Sequence, residues 1–274
     1  MKVIIDPLMK RLFLIPSCVL CLTGFAWAQD DGSDAEALAK KLSNPIASLI
    51  SVPFQNNTDY GIGDANGTRN TLNIQPVIPI SIGSKLNLIA RVILPVVTQY
   101  NITGVGEKEA GISDIVMSAF FSPKESKNGF TWGAGPVLLI PTGSNDYLTT
   151  DKFGVGPTVV ALKQSNGWTF GGLINQIWSV AGNSDRGDVN QMFVQPFITF
   201  NWKSGAGLGA NMEWTQNWEA STATLWLNPV LSGVTALGSQ KVQLAVGPRF
   251  NLAAPDGAMA DLGWRAVIVL LFPK

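Results

Sequence analysis

Residues 72–97 alternate apolar with mixed side chains on both sides of a short turn, and this pattern limits the available folds more than any other feature of the chain. One alternating run covers 72–82, a second covers 86–97, and Gly-Ser-Lys at 83–85 joins them. Because successive side chains of a β-strand point to opposite faces, each run predicts a strand with one continuous apolar face. The two runs together predict an antiparallel hairpin.

The pattern returns along the chain, where about twelve runs qualify as strands. We place them at 48–60, 71–82, 86–97, 112–121, 130–141, 153–163, 168–180, 189–202, 206–216, 222–234, 241–252 and 261–272. Short turns alternate with longer connections at 61–70, 98–111, 142–152 and 181–188. Such alternation is typical of outer-membrane barrels, whose short turns face the periplasm. The sequence therefore predicts an all-β fold: a transmembrane antiparallel up-and-down β-barrel of about twelve strands with a short N-terminal helix.

The composition favours a membrane barrel over a soluble protein. Hydrophobic residues make up 46% of the chain and charged residues only 14%, yet no run after residue 28 is long enough for a membrane helix. In hydrocarbon every backbone N–H and C=O must pair internally, and a closed barrel achieves this with strands. The alternative is a soluble β-sandwich or lectin-like domain, which would not normally expose apolar stripes on so many strands.

The first 28 residues predict a signal peptide. Residues 9–11 are Met-Lys-Arg, residues 12–26 are mostly apolar, and Ala-Trp-Ala at 26–28 has small residues at the two positions that a signal peptidase reads. The alternative is a membrane anchor, for which the apolar run is short. Both cysteines lie within 1–28, so we expect a mature chain without disulfides. Export predicts location in the cell outer membrane.

Residues 29–46 predict an N-terminal periplasmic segment with a short helix, ahead of a barrel domain at 47–274. Ser33 and Glu36 fit a capping box, an apolar stripe follows, and Asn-Pro after residue 43 ends the helix. This helix is a candidate plug for the lumen. Equally, it is a candidate for a solvated helix that rests on the membrane interface.

Aromatic residues cluster at the ends of the predicted strands, as expected for rings that favour the two lipid–water interfaces. The periplasmic set is Phe121, Phe130, Trp132, Trp168, Trp202 and Phe272, and the outer set is Phe153, Trp178, Trp214 and Trp264. The last strand alternates and ends on an aromatic residue, the kind of strand that the barrel assembly machinery recognises. We therefore expect that machinery as a partner.

Six prolines fall within predicted strands, all on the face that we assign to lipid: Pro76, Pro136, Pro157, Pro196, Pro229 and Pro248. Proline cannot donate a hydrogen bond to the strand ladder, and a closed barrel has no free edge. We expect β-bulges at these positions.

Several segments also resemble the outer-membrane "MetA-pathway of phenol degradation" transporter family, some members of which are misnamed bacterial neuromedin U. The matching segments are 44–57 (NPIASLISVPFQNN), 135–142 (GPVLLIPT), 153–164 (FGVGPTVVALKQ), 176–182 (QIWSVAG), 188–196 (DVNQMFVQP), 254–257 (APDG) and 270–274 (LLFPK). The resemblance covers nearly the whole chain after the signal peptide. It implies an outer-membrane barrel that passes small, often hydrophobic or aromatic, compounds.

Function in a barrel of this kind would be carried by the lumen. The lumen-lining candidates are Arg91, Asp114, Phe193, Phe197, Glu213, Arg249 and Arg265, which alternation places on the inward face. Charges in mid-strand would cost a few kcal/mol if they faced lipid. The charged members of this set fit an interior salt-bridge network or a solute-selecting constriction, and the two roles are compatible. Many other inward positions are apolar, which favours hydrophobic solutes over bulk flow of ions and sugars.

Enzymatic and nucleic-acid functions are disfavoured by what the chain contains. It has no histidine, so it offers neither a Ser-His-Asp triad nor a histidine metal site. Basic and acidic residues balance at 19 each, which gives no reason to expect nucleic acid as a partner. We expect no catalytic, cofactor-binding or metal-binding residues.

The predicted function is passive passage of small hydrophobic or aromatic compounds. The alternatives are a closed, structural or adhesive barrel and a general narrow porin.

Overall fold

The alternating runs of the sequence form strands of one antiparallel sheet that closes on itself. The computed structural model describes residues 32–273, so the expected signal peptide at 1–28 lies outside the described residues. Helix α1 (Gly32–Leu42) comes first. The strand segments are β1 (Ile50–Ile62), β2 (Gly67–Ile74), β3 (Val77–Ile82), β4 (Leu86–Tyr100), β5 (Lys108–Ile112), β6 (Ile115–Pro123), β7 (Phe130–Ile140), β8 (Lys152–Ser165), β9 (Trp168–Gly182), β10 (Asn190–Asn201), β11 (Ala206–Asn217), β12 (Thr222–Leu237), β13 (Gln240–Ala253) and β14 (Leu262–Phe272). Within 32–273, no helix is long and apolar enough to cross a bilayer.

These fourteen segments make twelve barrel strands. β2 and β3 are two parts of one strand that share β1 and β4 as neighbours, and β5 and β6 are two parts of another. β1 pairs with β14 from Ile50 opposite Phe272 to Tyr60 opposite Leu262, and this seam closes the barrel. The predicted twelve-stranded antiparallel barrel with a short N-terminal helix is confirmed.

The two faces of the wall differ as the alternation predicts. Large apolar side chains such as Ile80, Phe170, Ile198 and Leu231 are exposed on the outside. Aromatic side chains are exposed at both ends: Phe121, Phe130, Trp132, Trp168, Trp202 and Phe272 at the end with short turns, and Trp178, Trp214, Trp218 and Trp264 at the end with longer loops. An apolar outer surface bounded by two aromatic girdles matches the hydrocarbon core and interfaces of a membrane.

The mid-strand prolines interrupt the ladder without shifting its register, so the expectation of bulges there is wrong. Around Pro157, for example, Val155 pairs with Trp178 and Thr158 with Asn175, which is one uninterrupted register with the pairs between them missing. The other five sites behave alike. Register shifts occur instead at Tyr60/Ile62 in the β1–β2 pair, at Phe153/Gly154 in the β8–β9 pair and at Leu225/Trp226 in the β12–β13 pair. A missing N–H removes a ladder bond, but it does not require an extra residue.

Three of these prolines follow a glycine, and steric constraints explain why glycine is needed there. A Cβ at Gly135, Gly156 or Gly247 would collide with a backbone carbonyl oxygen of the neighbouring strand. At each of these glycines the adjacent strand therefore lies very close, on the side where the following proline leaves the ladder incomplete. Only glycine leaves room for that approach.

Replacing Gly156 with alanine should lower the free energy of unfolding by about 1–3 kcal/mol, because the added methyl group forces β8 away from the Gln176 carbonyl of β9. The change should appear as a lower urea midpoint in lipid vesicles, followed by tryptophan fluorescence. Gly233→Ala is the matched control, since a Cβ at this mid-strand position of β12 meets nothing within 4 Å. Equal midpoints for the two variants would contradict the steric explanation.

Candidate functional site

Among the charged side chains inside the barrel, Asp59, Arg91, Glu213, Arg249 and Arg265 form what we call the charged belt. Arg249 Nε lies 3.1 Å from Asp59 Oδ1, and Arg265 Nη2 lies 2.8 Å from Glu213 Oε1. Arg249 Nη1 is 4.0 Å from the second Glu213 oxygen. Because Glu213 is on β11 and Arg265 is on β14, their ion pair bridges across two intervening strands. The belt therefore reaches into the lumen instead of only lining the wall.

Neutral side chains complete the belt. Asn57 Oδ1 accepts from Arg265 Nε at 2.8 Å, Gln75 Oε1 accepts from Arg91 Nη2 at 2.7 Å, Gln195 Nε2 donates to Glu213 Oε1 at 3.4 Å, and the Trp226 ring lies 4.3 Å from the Arg249 guanidinium carbon. The side chains of Arg249 and Arg265 are only 6% and 3% exposed. Charges buried this deeply are tolerated because each has an opposite charge and further polar or aromatic partners.

A cavity of about 870 Å³, which we call the vestibule, lies on the side of the barrel with the longer loops. Its polar lining includes Arg69, Thr71, Asn73, Gln99, Asp114, Asn190, Gln191 and Asn217, and its apolar lining includes Pro95, Val97, Val116, Leu139, Leu148, Ile177 and Val189. Ile177, Leu139, Val116 and Val189 pack into one apolar cluster. The vestibule thus presents both apolar contact area and hydrogen-bonding groups to a small molecule.

Two loops are held over the vestibule by polar contacts. Asp114 accepts hydrogen bonds from Thr150 N at 2.7 Å, Thr150 Oγ1 at 2.6 Å and Gly143 N at 3.1 Å, so it anchors the loop 141–151. Arg186 donates to the carbonyl oxygens of Asp146 and Thr149 and ties the loop 183–189 to the first loop. The structure therefore separates Asp114 from the charged belt and occupies its oxygens with loop contacts.

A salt bridge reinforces this loop pair. Lys152 Nζ lies 3.0 Å from Asp188 Oδ1, and Ser179 Oγ donates to the same oxygen. These hydrogen bonds, chiefly the one from Lys152, lower the pKa of the Asp188 carboxyl below its ordinary value. Asp188 therefore stays ionised, and the contact stays intact, at neutral pH.

The opposite end of the lumen is occupied by the N-terminal segment 32–49, which we call the inner segment. Leu38, Ala39 and Leu49 are buried against Val269 and Leu271 of β14 and Val234 of β12. The predicted apolar stripe of the helix thus faces the barrel wall.

Further along the inner segment, Ile46 is 3% exposed and is buried among Ile89, Phe120, Val160, Leu162 and Leu173. Phe193 and Phe197, two of the lumen-lining candidates, pack against this same cluster. Ile46 therefore connects the inner segment with side chains from β4, β6, β8, β9 and β10.

Three side-chain hydrogen bonds fix the inner segment to the wall. Asn201 Nδ2 donates to Ser43 Oγ, Asn87 Nδ2 donates to Ser48 Oγ, and Gln164 Nε2 donates to Lys40 O, each at 2.8 Å. A second cavity of about 160 Å³ lies beside the segment and reaches Gln75 and Arg91. The inner segment and the charged belt thus both occupy the lumen below the vestibule.

Four of the belt residues are among the lumen-lining candidates of the sequence, and Asp59 is not. The structure places Asp59 inside β1, buried against Arg249. The alternation of Gln55, Asn57 and Asp59 on one face was the signal that could have identified it. Within the described residues, no cluster of acidic or cysteine side chains has the geometry to hold a metal ion.

Solved structures with a similar fold include an outer-membrane channel. The COG4313 outer membrane channel from Pseudomonas putida F1 matches with a TM-score of 0.63 and 16% identity over 82% of this chain and 94% of that chain. Two further barrels match with lower scores. They are the β domain of the Bordetella autotransporter Brka (TM-score 0.46, 12% identity, 82% of this chain and 100% of that chain) and outer membrane phospholipase A from Escherichia coli (TM-score 0.44, 12% identity, 85% of this chain and 98% of that chain). None of the curated proteins matches the sequence.

The family is shown by sequence. Residues 51–267 match the family described as "Putative MetA-pathway of phenol degradation", a range that runs from β1 to β14 and so covers nearly the whole barrel. The resemblance found in the sequence segments is confirmed, and the similar channel from P. putida shares the barrel fold. The chain belongs to the "Putative MetA-pathway of phenol degradation" family, and it has the fold of an outer-membrane channel.

Proposed function

We propose that this protein is an outer-membrane channel for passive passage of small hydrophobic or aromatic compounds. The observation that carries the proposal is the vestibule, about 870 Å³ in volume, which lies under the longer loops and combines an apolar cluster with amide and hydroxyl groups. A cavity of this size has ample room for a compound of one or two rings, and mixed linings orient such ligands by their polar groups. General porins instead keep a wide polar channel.

The proposed path runs from the vestibule past the charged belt to the cluster around Ile46. Phe193 and Phe197 lie where the path meets the inner segment, since both pack against that cluster. Aromatic and aliphatic walls allow a hydrophobic solute to move by successive weak contacts. In this proposal the passage is narrow, and large polar solutes are excluded by the belt residues Arg91, Glu213, Arg249 and Arg265.

The inner segment acts as the plug in this proposal. Its contacts with the wall in the described structure are three side-chain hydrogen bonds and apolar packing, so its displacement breaks no covalent bond. Export through a cleaved signal at 1–28, assembly through the last strand, and an embedding outer-membrane bilayer belong to the same proposal. Catalysis does not, because a chain without histidine offers no histidine-based triad.

Uptake by liposomes tests this function. Uptake is measured above that of protein-free liposomes, because phenol also crosses lipid unaided. On this measure the refolded protein should admit phenol faster than a sugar of comparable size, and Phe197→Asp should reduce phenol uptake severalfold because a carboxylate disrupts the apolar path. Phe197→Leu is the matched control and should keep most of the uptake. Equal uptake of both solutes would indicate a general narrow porin, and uptake of neither would indicate a closed structural barrel; either result contradicts the proposal.

A further inference from the structure

Charge is distributed unequally between the two rims of the barrel. The rim with the short turns carries lysines, which in the described strands and turns are Lys85, Lys124, Lys127, Lys163, Lys203 and Lys241, together with the acidic residue Glu125. The loops of the other rim carry mainly carboxylates, including Asp64, Glu107, Asp146, Asp185, Glu219 and Asp256. Both rims have exposed aromatic girdles, so charge is the feature that distinguishes their surroundings.

One of these lysines lies within the aromatic girdle. Strand register places Lys163 of β8 directly opposite Phe130 of β7 on one side and Phe170 of β9 on the other. Side chains opposite each other in antiparallel strands lie about 5 Å apart at Cβ. Lys163 is exposed, and so are Phe130 (46%) and Phe170 (48%), on the face of the wall that meets lipid. The lysine ammonium therefore extends from an apolar surface at the level of the headgroups.

Further aromatic rings and lysines continue this surface. The Trp168 ring lies 4.9 Å from the Phe200 ring, and the Phe200 ring lies 5.4 Å from the Trp202 ring. Lys203 follows Trp202 in the turn between β10 and β11, and Lys127 lies in the turn that leads to Phe130. We call Lys127, Lys163, Lys203, Phe130, Trp168 and Phe170 the lysine–aromatic patch.

We propose that the lysine–aromatic patch binds an anionic phospholipid of the periplasmic leaflet. Three ammonium groups along the rim together attract a net negative headgroup, and the ammonium nearest to it donates hydrogen bonds to its phosphate oxygens. The rings below them provide the flat apolar surface on which the acyl chains lie. A zwitterionic headgroup gains less, because its own cation is repelled by the lysines.

The proposal is specific to one leaflet. Both termini of the described chain and the short turns lie at the lysine rim, which is the periplasmic side in barrels of this class. The carboxylate-rich loops of the opposite rim repel anionic headgroups, although an aromatic girdle is present there too. The inference depends on placement of the barrel in a membrane, and it is independent of the solute that the lumen passes.

Native mass spectrometry of the protein in detergent with equal amounts of phosphatidylglycerol and phosphatidylcholine tests the proposal. The wild type should retain mainly phosphatidylglycerol, and the triple variant K127Q/K163Q/K203Q should lower the retained ratio roughly tenfold, since each lysine near a headgroup contributes appreciably to the attraction. Raised salt should lower the ratio for the wild type as well, because it screens exposed charges.

Two single variants and one competitor complete the design. Lys108→Gln removes a lysine from the opposite rim, and Lys85→Gln removes one from the same rim outside the patch; neither should change the ratio. Heat-modifiable migration on a gel checks that each variant is folded. An unchanged ratio in the triple variant, or an equal loss in Lys85→Gln, would overturn the site. Displacement of the lipid by equimolar glycerophosphate would also overturn it, since that result indicates an anion site without acyl-chain contacts.

Discussion

Replacing Glu213 with alanine should lower the free energy of unfolding of the barrel by about 3–5 kcal/mol, the usual cost of leaving a buried charge without its partner. Glu213 is 2.8 Å from Arg265 and 4.0 Å from Arg249, and the side chains of these arginines are 3% and 6% exposed. Water cannot readily replace the lost carboxylate at that depth. Urea titration in lipid vesicles, followed by tryptophan fluorescence, measures the effect.

Two further variants separate the burial of the charge from the loss of a carboxylate as such. Glu219→Ala removes an exposed loop carboxylate and should change stability by less than about 0.5 kcal/mol. The double variant Glu213→Leu/Arg265→Met removes both members of the pair and should recover part of the lost stability, because no unpaired charge remains from it. If Glu213→Ala and Glu219→Ala behave alike, the charged belt does not stabilise the barrel.

Deleting residues 29–43 should raise single-channel conductance severalfold. Within the part that the structure describes, this removes Leu38 and Ala39 from the wall of β12 and β14 and breaks the hydrogen bonds to Asn201 and Gln164. The cross-section that α1 occupies then fills with water, so ions pass more freely. Recordings in planar bilayers measure the change.

A point variant tests the same plug without shortening the chain. Ile46→Asp places a charge in the cluster of Ile89, Phe120 and Leu162 and should displace the inner segment, whereas Ile46→Leu should leave the conductance near that of the wild type. Unchanged conductance in both the deletion and Ile46→Asp would show that the charged belt, rather than the inner segment, limits passage.

Most of the barrel could be predicted from the sequence because its signal is local. Alternation with period two needs only neighbouring residues, and twelve runs were enough to predict twelve barrel strands. Details that depend on other strands were less accurate. The run 71–82 is one barrel strand, as predicted, but it forms in two parts, β2 and β3, and the predicted loop 98–111 contains most of β5. The expected bulges at the prolines were wrong, since whether a missing donor shifts the register depends on the neighbouring backbone.

The candidate site was predictable only in part. Alternation predicts an inward face for Arg91, Glu213, Arg249 and Arg265, but it cannot identify partners on strands that are not neighbours. Glu213 on β11 bonds with Arg265 on β14, and that choice depends on barrel diameter and strand stagger. A capping box and an apolar stripe predicted α1, yet its seat against Val234 and Val269 follows from the closed barrel around it.

The seam between β1 and β14 also determines the order in which the barrel is completed. The hydrogen bond from Arg265 to Asn57 crosses this seam and joins residues 208 positions apart. Contacts of such long range form late, because the entropy of closing the loop opposes them until the intervening strands are paired. An open sheet would leave the edges of β1 and β14 unpaired and would deprive Arg265 of Asn57. Partly closed forms are therefore disfavoured on both counts.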